Sequence, residues 1–326
     1  MPELPEVEVV RAGLHPAVTG AVVDHVDVLE PRSLRRHAGP EADFVERLTG
    51  AVLLSAVRRG KFLWFPFAVP GGPVEALVAH LGMSGQVLLR SRDQVDDRLL
   101  RIRLDLVHPA LGDVRLAFVD QRIFGSMALD DTEPTPDGRA AGYSSPTILG
   151  HDAEADAGSL HDHGPQEDRG WVTRIPHQVA HIARDPLDPA FDERAFVDRL
   201  LARRSGVKRA LLDQGLVSGI GNIYADESLW AAKIHFDQPC SSLSRRRAAL
   251  LLLEVKAVLF KALAEGGTSF DQQYVNVNGQ SGYFSHSLNA YGQQGKPCPR
   301  CGTPISRVAF MNRSSHFCPR CQKLTT

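Results

Sequence analysis

This chain of 326 residues has no long apolar run, almost no net charge and few cysteines. The longest apolar stretch, residues 62–69, is short and contains Pro66, and the N-terminus lacks the basic flank and apolar run of a secretory signal. We therefore expect no membrane segment and a cytoplasmic protein. With 43% hydrophobic and 23% charged residues, the chain has a globular composition and is long enough for two domains.

The formal net charge of −1 argues on its own against a polyanionic partner. The charges are unevenly distributed, however. From Lys296 to the C-terminus the chain contains Lys and Arg but neither Asp nor Glu, whereas residues 130–168 are rich in acids and contain Arg139 but no other Lys or Arg. The average thus conceals a basic tail and an acidic insert, and a polyanion remains a possible partner.

The chain begins Met-Pro-Glu-Leu-Pro-Glu, so removal of Met1 would leave Pro2 as a free secondary amine beside Glu3 and Glu6. Such an amine can attack a sugar C1′ and form an iminium, which suits covalent catalysis through a Schiff base. Residues 5–14 predict a helix, whose positive end disfavours protonation of the amine, while the carboxyl groups carry protons. An ordinary Pro-rich terminus with acidic helix capping explains the same residues.

Residues 20–130 read as strands joined by turns, with no helical pattern between them. Alternation of apolar and polar residues is clearest over residues 100–106 and 114–118. After one N-terminal helix, such a series predicts an antiparallel sandwich or barrel. We expect a catalytic domain at 1–130, a linker with a flexible acidic insert at 131–178, a helical domain at 179–294 and a metal-binding module at 295–326.

The helical domain is predicted from apolar spacing after Phe191 and from a long Leu-rich and Ala-rich helix over residues 244–264. Between these segments, Gly219 and Gly221 permit a tight turn. Asn222 then begins a helix whose free backbone N–H groups are suited to a phosphate. A plain packing corner between two helices explains this pattern equally.

Four cysteines form the pattern Cys298-x2-Cys301-x16-Cys318-x2-Cys321. Paired thiolates at this spacing close a tetrahedral zinc site, and nothing marks the chain for the export that a disulfide would favour. We predict one structural Zn²⁺, which this proline-rich module needs in order to fold. The fifth cysteine, at position 240, reads as a buried or idle thiol. Arg313, between the Cys pairs, suits a phosphate contact, although a purely stabilising ribbon is the alternative.

The N-terminal motif, residues 219–227 and the four-cysteine finger together resemble bacterial formamidopyrimidine-DNA glycosylases over nearly the whole chain. The resemblance implies an α+β protein of two domains. It comprises an N-terminal helix plus an antiparallel β-sandwich, then a helical domain with a helix-two-turn-helix element and a β-hairpin zinc finger. It further implies a monomeric base-excision repair enzyme that needs no small-molecule cofactor and acts on damaged double-stranded DNA.

In that family, oxidised purines such as 8-oxoguanine and formamidopyrimidines are excised, and β,δ-elimination then nicks the strand. The resemblance makes Pro2 the nucleophile, Glu3 the proton donor, Glu6 its support and Lys61 a cation near the phosphates of the flipped nucleotide. The following residues are implied to contact DNA: His80, Met83, Arg122, Phe124, Lys208, Asn222 and Arg313.

Met83, Arg122 and Phe124 would fill the base stack that a flipped nucleotide vacates. On their own, Met83 and Phe124 read as core residues. Ile123 stands where the family often has a second Arg, which bears on contact with the opposite strand.

Residues 266–284 resemble the loop that covers the lesion, with Gly279 and Gly282 as hinges. Its implied lesion-contacting residues are Tyr274, Asn276, Gly282 and Tyr283. The same motifs leave two rivals: an endonuclease VIII-like enzyme for oxidised pyrimidines, and a DNA protein that binds lesions without chemistry. The acidic insert within 143–172 is longer than the family leads us to expect, and we hypothesise that it is dispensable.

Overall fold

The structure is a computed structural model that describes residues 2–146, 170–268 and 282–325. Most of the acidic insert and most of the predicted lesion loop, including Tyr274, Asn276 and Gly279, therefore lie outside the described residues. Within the described part, a mixed helix and sheet architecture confirms the predicted α+β class.

Helix α1 (Leu4–Val18) extends beyond both ends of the predicted helix. Pro5 lies in its first turn, where a missing N–H group costs no hydrogen bond. The predicted apolar stripe of Val7, Val10 and Leu14 is buried. The helix continues past Pro16, which sequence reasoning did not anticipate.

The N-terminal domain is built on one antiparallel sheet of nine strands. The strands are β1 (Val22–Val28), β2 (Val52–Leu53), β3 (Val57–Arg59), β4 (Phe62–Ala68), β5 (Val74–His80), β6 (Gly85–Arg90), β7 (Leu100–His108), β8 (Gly112–Asp120) and β9 (Ser126–Asp130). Their order is β6-β8-β7-β1-β2-β4-β5-β9, with β3 added beside β4. Apolar residues from both ends of this order share one core with α1, so the sheet folds over itself as the predicted sandwich.

Two features interrupt the predicted all-strand region. A short 3₁₀ helix (Pro31–Leu34) and helix α2 (Glu41–Leu48) lie between β1 and β2. The expectation of no helix here was wrong, because α2 is only two turns long and buries just Phe44 and Leu48.

The predicted linker has ordered ends. Strands β10 (Thr132–Pro134) and β11 (Arg174–Pro176) pair with each other, and a 3₁₀ helix (Gly170–Thr173) precedes β11. Tyr143 forms a two-way backbone bridge with Arg58 of β3. Helix α3 (His177–Ala180) then leads into the helical domain. The exact domain boundaries stay predictions.

The helical domain packs around a core separate from that of the sheet. Its helices are α4 (Glu193–Leu201), α5 (Val207–Leu211), α6 (Asn222–Ala231) and α7 (Arg245–Ala264), with 3₁₀ turns at Cys240–Ser242 and Phe284–Ser287. Helix α7 matches the predicted long helix, and Ser244 caps it by accepting from the backbone N–H of Arg247. The C-terminal module is a hairpin of β12 (Ser306–Phe310) and β13 (Arg313–Phe317).

Candidate active site and nucleic-acid interface

The N-terminal segment lies between the two domains. The Leu4 side chain belongs to the core of the helical domain, whereas Val7 belongs to the core of the sheet. The backbone N–H of Leu4 donates to the carbonyl of Gly219 at 2.9 Å. Gly219 has φ +87°, and a Cβ there would lie 2.7 Å from the Leu4 side chain. The first glycine of the Gly-x-Gly pattern therefore admits the chain terminus.

Glu3 is buried at the N-terminus of α6. Its carboxylate accepts from the backbone N–H groups of Gly221 at 2.6 Å, Ile223 at 3.0 Å and Tyr224 at 3.4 Å. The helix end that the sequence suggested for a phosphate thus holds a carboxylate of the same chain. Burial raises the pKa of Glu3 despite the opposing effects of Lys61 and these N–H groups, with Glu6 adding to the rise. A raised pKa favours a carboxyl group that can hold and donate a proton.

Glu6 is buried and anchored on both of its carboxylate oxygens. Oε2 accepts from the backbone N–H of Glu3 at 2.8 Å. Oε1 accepts from the Tyr224 hydroxyl at 2.6 Å and from both the N–H and the hydroxyl of Thr268, at 2.7 and 2.8 Å. Glu6 therefore ties the N-terminal segment to α6 and to the base of the predicted lesion loop.

Lys61 lines a cavity of about 190 Å³ in the cleft between the domains. The sheet domain supplies Lys61 and His80 to its wall, the helical domain supplies Gln214, and the finger supplies Arg313. Burial lowers the pKa of Lys61, Glu3 opposes that change, and the like charge of Arg313 adds to it. Lys61, His80 and Arg313, which were all predicted to lie near or contact DNA, therefore line one cleft.

A buried ionic cluster supports the turn that carries Lys61. Arg58, fully buried, donates to Glu8 of α1 at 2.8 Å and to Asp185 at 2.9 Å. Asp185 also accepts from the backbone N–H of Gly60 at 3.1 Å. Arg11 binds Glu8 at 2.7 Å from the other side. The cluster joins α1, β3 and the segment that enters the helical domain.

His80 is a neutral donor at physiological pH. Burial, together with Arg36, Arg35 and Lys61, lowers its pKa to about 4. The backbone N–H of Gly82 donates to Nδ1 at 3.2 Å, so we assign the ring hydrogen to Nε2. Any contact of His80 with DNA is accordingly a hydrogen bond rather than an ion pair.

Met83, Arg122 and Phe124 are exposed on two loops that pack against each other. A Cβ on Gly82 would lie 2.4 Å from the backbone of Phe124, so the loops meet backbone to backbone. Met83 is 38% exposed and Phe124 is 45% exposed. The alternative that these two are core residues was wrong.

The finger hairpin is held against the helical domain beside Arg313. The Asn222 side-chain amide donates to the carbonyl of Ser314 at 3.1 Å. Lys208 donates to the same carbonyl at 3.0 Å and is fully buried in an ion pair with Asp226 at 2.7 Å. Lys208 therefore joins the domain to the finger, and its contact with DNA stays a prediction.

The described base of the lesion loop is closed by backbone hydrogen bonds. Tyr283 donates to the carbonyl of Glu265 at 2.9 Å, and Phe284 donates to Gly267 at 3.1 Å. A Cβ on Gly282 would lie 2.3 Å from the carbonyl oxygen of Gly266. Close approach of two chain segments thus accounts for Gly282. Tyr283 is 74% exposed.

The four predicted zinc ligands converge. Their Sγ atoms all lie within 4.8 Å of one another, and Cys301 is 3.5 Å from both Cys318 and Cys321. Four thiolates at about 2.3 Å from a tetrahedral zinc ion would lie about 3.8 Å apart, so the donor set suits one structural Zn²⁺. None of the five cysteines is in a disulfide, and Cys240 is buried as predicted.

The finger is also fixed to the end of α6. The Arg300 guanidinium lies 3.7 Å from the ring centroid of Trp230 and donates to the carbonyl of Ala231 at 3.0 Å. A cation at a helix C-terminus and over an indole ring is favourable on both counts.

Sequence reasoning missed the residues that connect these groups. Asp120, Asp185, Tyr224 and Asp226 carry no recognisable spacing, and the only signal for Tyr224 and Asp226 was their place in the 219–227 stretch that resembles the family. In the part of the chain that the structure describes, no helix has both the length and the apolar character needed to cross a bilayer.

A buried Pro-Glu terminus, a cationic interdomain cleft and a four-cysteine finger define a DNA-processing enzyme of the helix-two-turn-helix class. Comparison with known proteins identifies the family. Sequence models match at residues 1–127 (Formamidopyrimidine-DNA glycosylase N-terminal domain), 182–273 (Formamidopyrimidine-DNA glycosylase H2TH domain) and 295–324 (Zinc finger found in FPG and IleRS).

Formamidopyrimidine-DNA glycosylase of Leifsonia xyli is 57% identical over 324 residues, covering 99% of this chain and 100% of that protein. The Thermobifida fusca protein of the same name is 50% identical, with 99% and 97% covered. A Lactococcus lactis Fpg bound to abasic-site DNA is 28% identical with a TM-score of 0.73, and 98% and 99% of the two chains are covered. The chain belongs to the formamidopyrimidine-DNA glycosylase family.

Proposed function

We propose that this protein is a base-excision repair enzyme that removes oxidised purines from duplex DNA and then cleaves the strand at the abasic site. One observation carries the proposal: the Glu3 carboxyl group, next to Pro2, is buried at a helix N-terminus with a raised pKa. A proton donor is thereby placed beside the residue whose secondary amine suits attack on C1′.

The chemistry begins once Met1 is removed and the Pro2 nitrogen is free. That nitrogen forms a bond to C1′, the glycosidic bond breaks, and the base leaves with a proton from Glu3. The nitrogen gives up its proton, the C1′–O4′ bond breaks and O4′ takes up a proton, which opens the sugar to an iminium. The iminium acidifies the C2′ hydrogen; loss of that proton expels the 3′ phosphate, and loss of the C4′ proton then expels the 5′ phosphate. Glu6 anchors the surrounding segments, because both of its oxygens are already occupied by hydrogen bonds.

Lys61, Asn222 and Arg313 are the proposed phosphate contacts. Lys61 and Arg313 line the same cleft, and Asn222 binds the backbone next to Arg313. A fixed set of donors from all three modules would hold the backbone on either side of a flipped nucleotide. The exposed Met83, Arg122 and Phe124 would enter the gap that the flipped base leaves.

Substrate choice separates this proposal from its nearest rival. A mutant of Lactococcus lactis Fpg has been crystallised with DNA containing Fapy-dG, and the wild-type protein with DNA containing an oxidised pyrimidine. The relatives at 50–57% identity carry the name formamidopyrimidine-DNA glycosylase, which favours purines.

Borohydride trapping tests the proposal. Purified protein is incubated with a duplex containing 8-oxoguanine opposite cytosine, and in parallel with a thymine-glycol duplex. We expect a covalent adduct on the first duplex that is strongly reduced in Pro2→Gly, which replaces the secondary amine by a primary one, and kept in Pro5→Ala, a control that removes a neighbouring proline but leaves Pro2 unchanged. Intact mass establishes whether Met1 is absent.

Two other outcomes would each support one of the alternative functions. A preference for thymine glycol would make the protein an enzyme for oxidised pyrimidines. DNA binding without an adduct on either duplex would make it a lesion-binding protein without chemistry.

A further inference from the structure

The turn formed by residues 120–125, which carries Arg122 and Phe124, is bound on one side by a buried carboxylate. Asp120 is fully buried. Its carboxylate accepts from the backbone N–H of Arg122 at 3.1 Å and of Gly125 at 2.6 Å. It also accepts from the Ser84 hydroxyl at 2.5 Å, on the loop that carries Met83. One carboxylate therefore binds two N–H groups of its own turn and a hydroxyl of the loop that carries Met83.

A cation binds the carbonyl groups of the same turn. Arg35 follows the 3₁₀ helix Pro31–Leu34, far from the turn in sequence. Its Nη1 donates to the carbonyl of Ile123 at 2.8 Å and to that of Gly125 at 2.9 Å, and its Nη2 donates to the carbonyl of Phe124. Three consecutive carbonyl groups thus converge on one planar guanidinium, a geometry that a lysine cannot supply.

The turn between these charges is strained. Ile123 has φ +55°, in the left-handed region that β-branched residues rarely occupy. Arg122 and Phe124 on either side of it are exposed, so burial of their side chains does not hold the backbone in this form. Hydrogen bonds to the backbone itself hold the turn: Arg35 donates to its carbonyl groups, and its N–H groups donate to Asp120 and Ser84.

We propose that Arg35 is a positioning residue for base flipping: by binding the carbonyls of residues 123–125, it fixes where Phe124 and Arg122 project into the DNA. The inference rests on the proposed function, since it assigns a role within the same reaction. Arg35 acts through the turn, whereas the alternative is a direct ion pair between its exposed guanidinium and a phosphate.

The test compares Arg35→Met and Arg35→Lys with Arg32→Met. Arg32 lies in the same segment, has a side chain that is 72% exposed and pairs with Glu30, so its replacement removes a nearby charge without touching the turn. Single-turnover excision of 8-oxoguanine is measured in a full duplex and in a duplex with a one-nucleotide gap opposite the lesion. The gap removes the opposite base and opens the stack beforehand.

We expect both Arg35 variants to lose at least about tenfold on the full duplex, because misplacement of a functional group by ~1 Å costs about 10²-fold. Their rates on the gapped duplex should stay close to wild type, and Arg32→Met should match wild type on both. Thermal melting of each variant establishes that it is folded.

Three outcomes would overturn the inference. Recovery of the full rate in Arg35→Lys, with a reduced salt slope of binding in Arg35→Met, would make Arg35 a phosphate contact. Equal losses on both duplexes would make it a general structural residue. Wild-type rates in Arg35→Met would show that the turn needs no clamp. Failure of the wild-type protein to excise the lesion from either duplex is a different result, which refutes the proposed function itself.

Discussion

Replacing Gly221 by alanine would move the proposed proton donor without changing its chemistry. Gly221 precedes α6 with φ −124° and ψ −157°, a backbone conformation that alanine adopts freely. A Cβ at this position would lie 2.3 Å from the Glu3 carboxyl carbon, whereas ordinary contact begins at 3.4 Å. The carboxyl group would therefore have to move by 3.4 − 2.3 = 1.1 Å.

A displacement of that size has a predictable cost. Misplacing a catalytic group by ~1 Å lowers the rate by about 10²-fold, or ~2.7 kcal/mol of activation free energy. The helix-capping change itself should cost at most ~1 kcal/mol of folding free energy. We therefore expect Gly221→Ala to fold and bind lesion DNA while releasing base about 10²-fold more slowly.

Single-turnover kinetics on an 8-oxoguanine duplex would measure base release, and thermal melting would measure stability. Gly215→Ala is the matched control, because its Cβ would approach only Asp213, at 3.2 Å, in the same corner between α5 and α6. Trapping on a preformed abasic site should be less affected, since no base remains to be protonated. Wild-type base release by a folded Gly221→Ala protein would refute the idea that the position of Glu3 matters.

Because the pKa of Glu3 is raised, base release should fall as the pH rises through that pKa and the donor loses its proton; Glu3→Gln, measured over the same pH series, should be slow and lack this limb. Lys208→Met should lower the melting temperature, since it removes one partner of a buried ion pair, a loss of about 3–5 kcal/mol, and leaves the Asp226 carboxylate with its hydrogen bond from the His316 backbone N–H. It should leave the salt slope of DNA binding unchanged; a slope reduced by about one would establish the DNA contact instead. Metal analysis should find one zinc per chain, lost in Cys318→Ser and kept in Cys240→Ser, and chelation should weaken DNA binding.

The elements that sequence predicted best were those with a strong local period. Strands β7 and β8 alternate clearly, and α7 combines a long apolar pattern with a Ser cap, so each was predicted close to its observed bounds. Helix α2 was missed because two turns of mostly polar residues give little signal. The cysteine ligands were predictable because a zinc site within one hairpin module leaves its spacing in the sequence.

The connecting residues of the site could not be predicted in the same way. Glu3 and Gly221 are separated by 218 positions and Arg35 and Ile123 by 88, so no local pattern relates them. The glycine pattern itself was ambiguous, because a glycine required by a carboxylate looks the same in sequence as one required by a phosphate. Only the fold shows which anion occupies the end of α6.

The burial of carboxylates such as Glu3 at the end of α6 also explains how a chain of net charge −1 can present a cationic cleft to DNA. Glu3, Glu6 and Asp120 lie close to the proposed DNA path, but each is buried and its oxygens accept hydrogen bonds from the protein. Lys61 and Arg313, by contrast, line the open cavity. Because the N–H groups at the start of α6 already bind Glu3, we expect side chains around the helix end, rather than its dipole, to bind phosphate. We therefore expect the buried acids to supply a proton and hold the fold together, and the cations that face the cleft to determine its attraction for the nucleic acid.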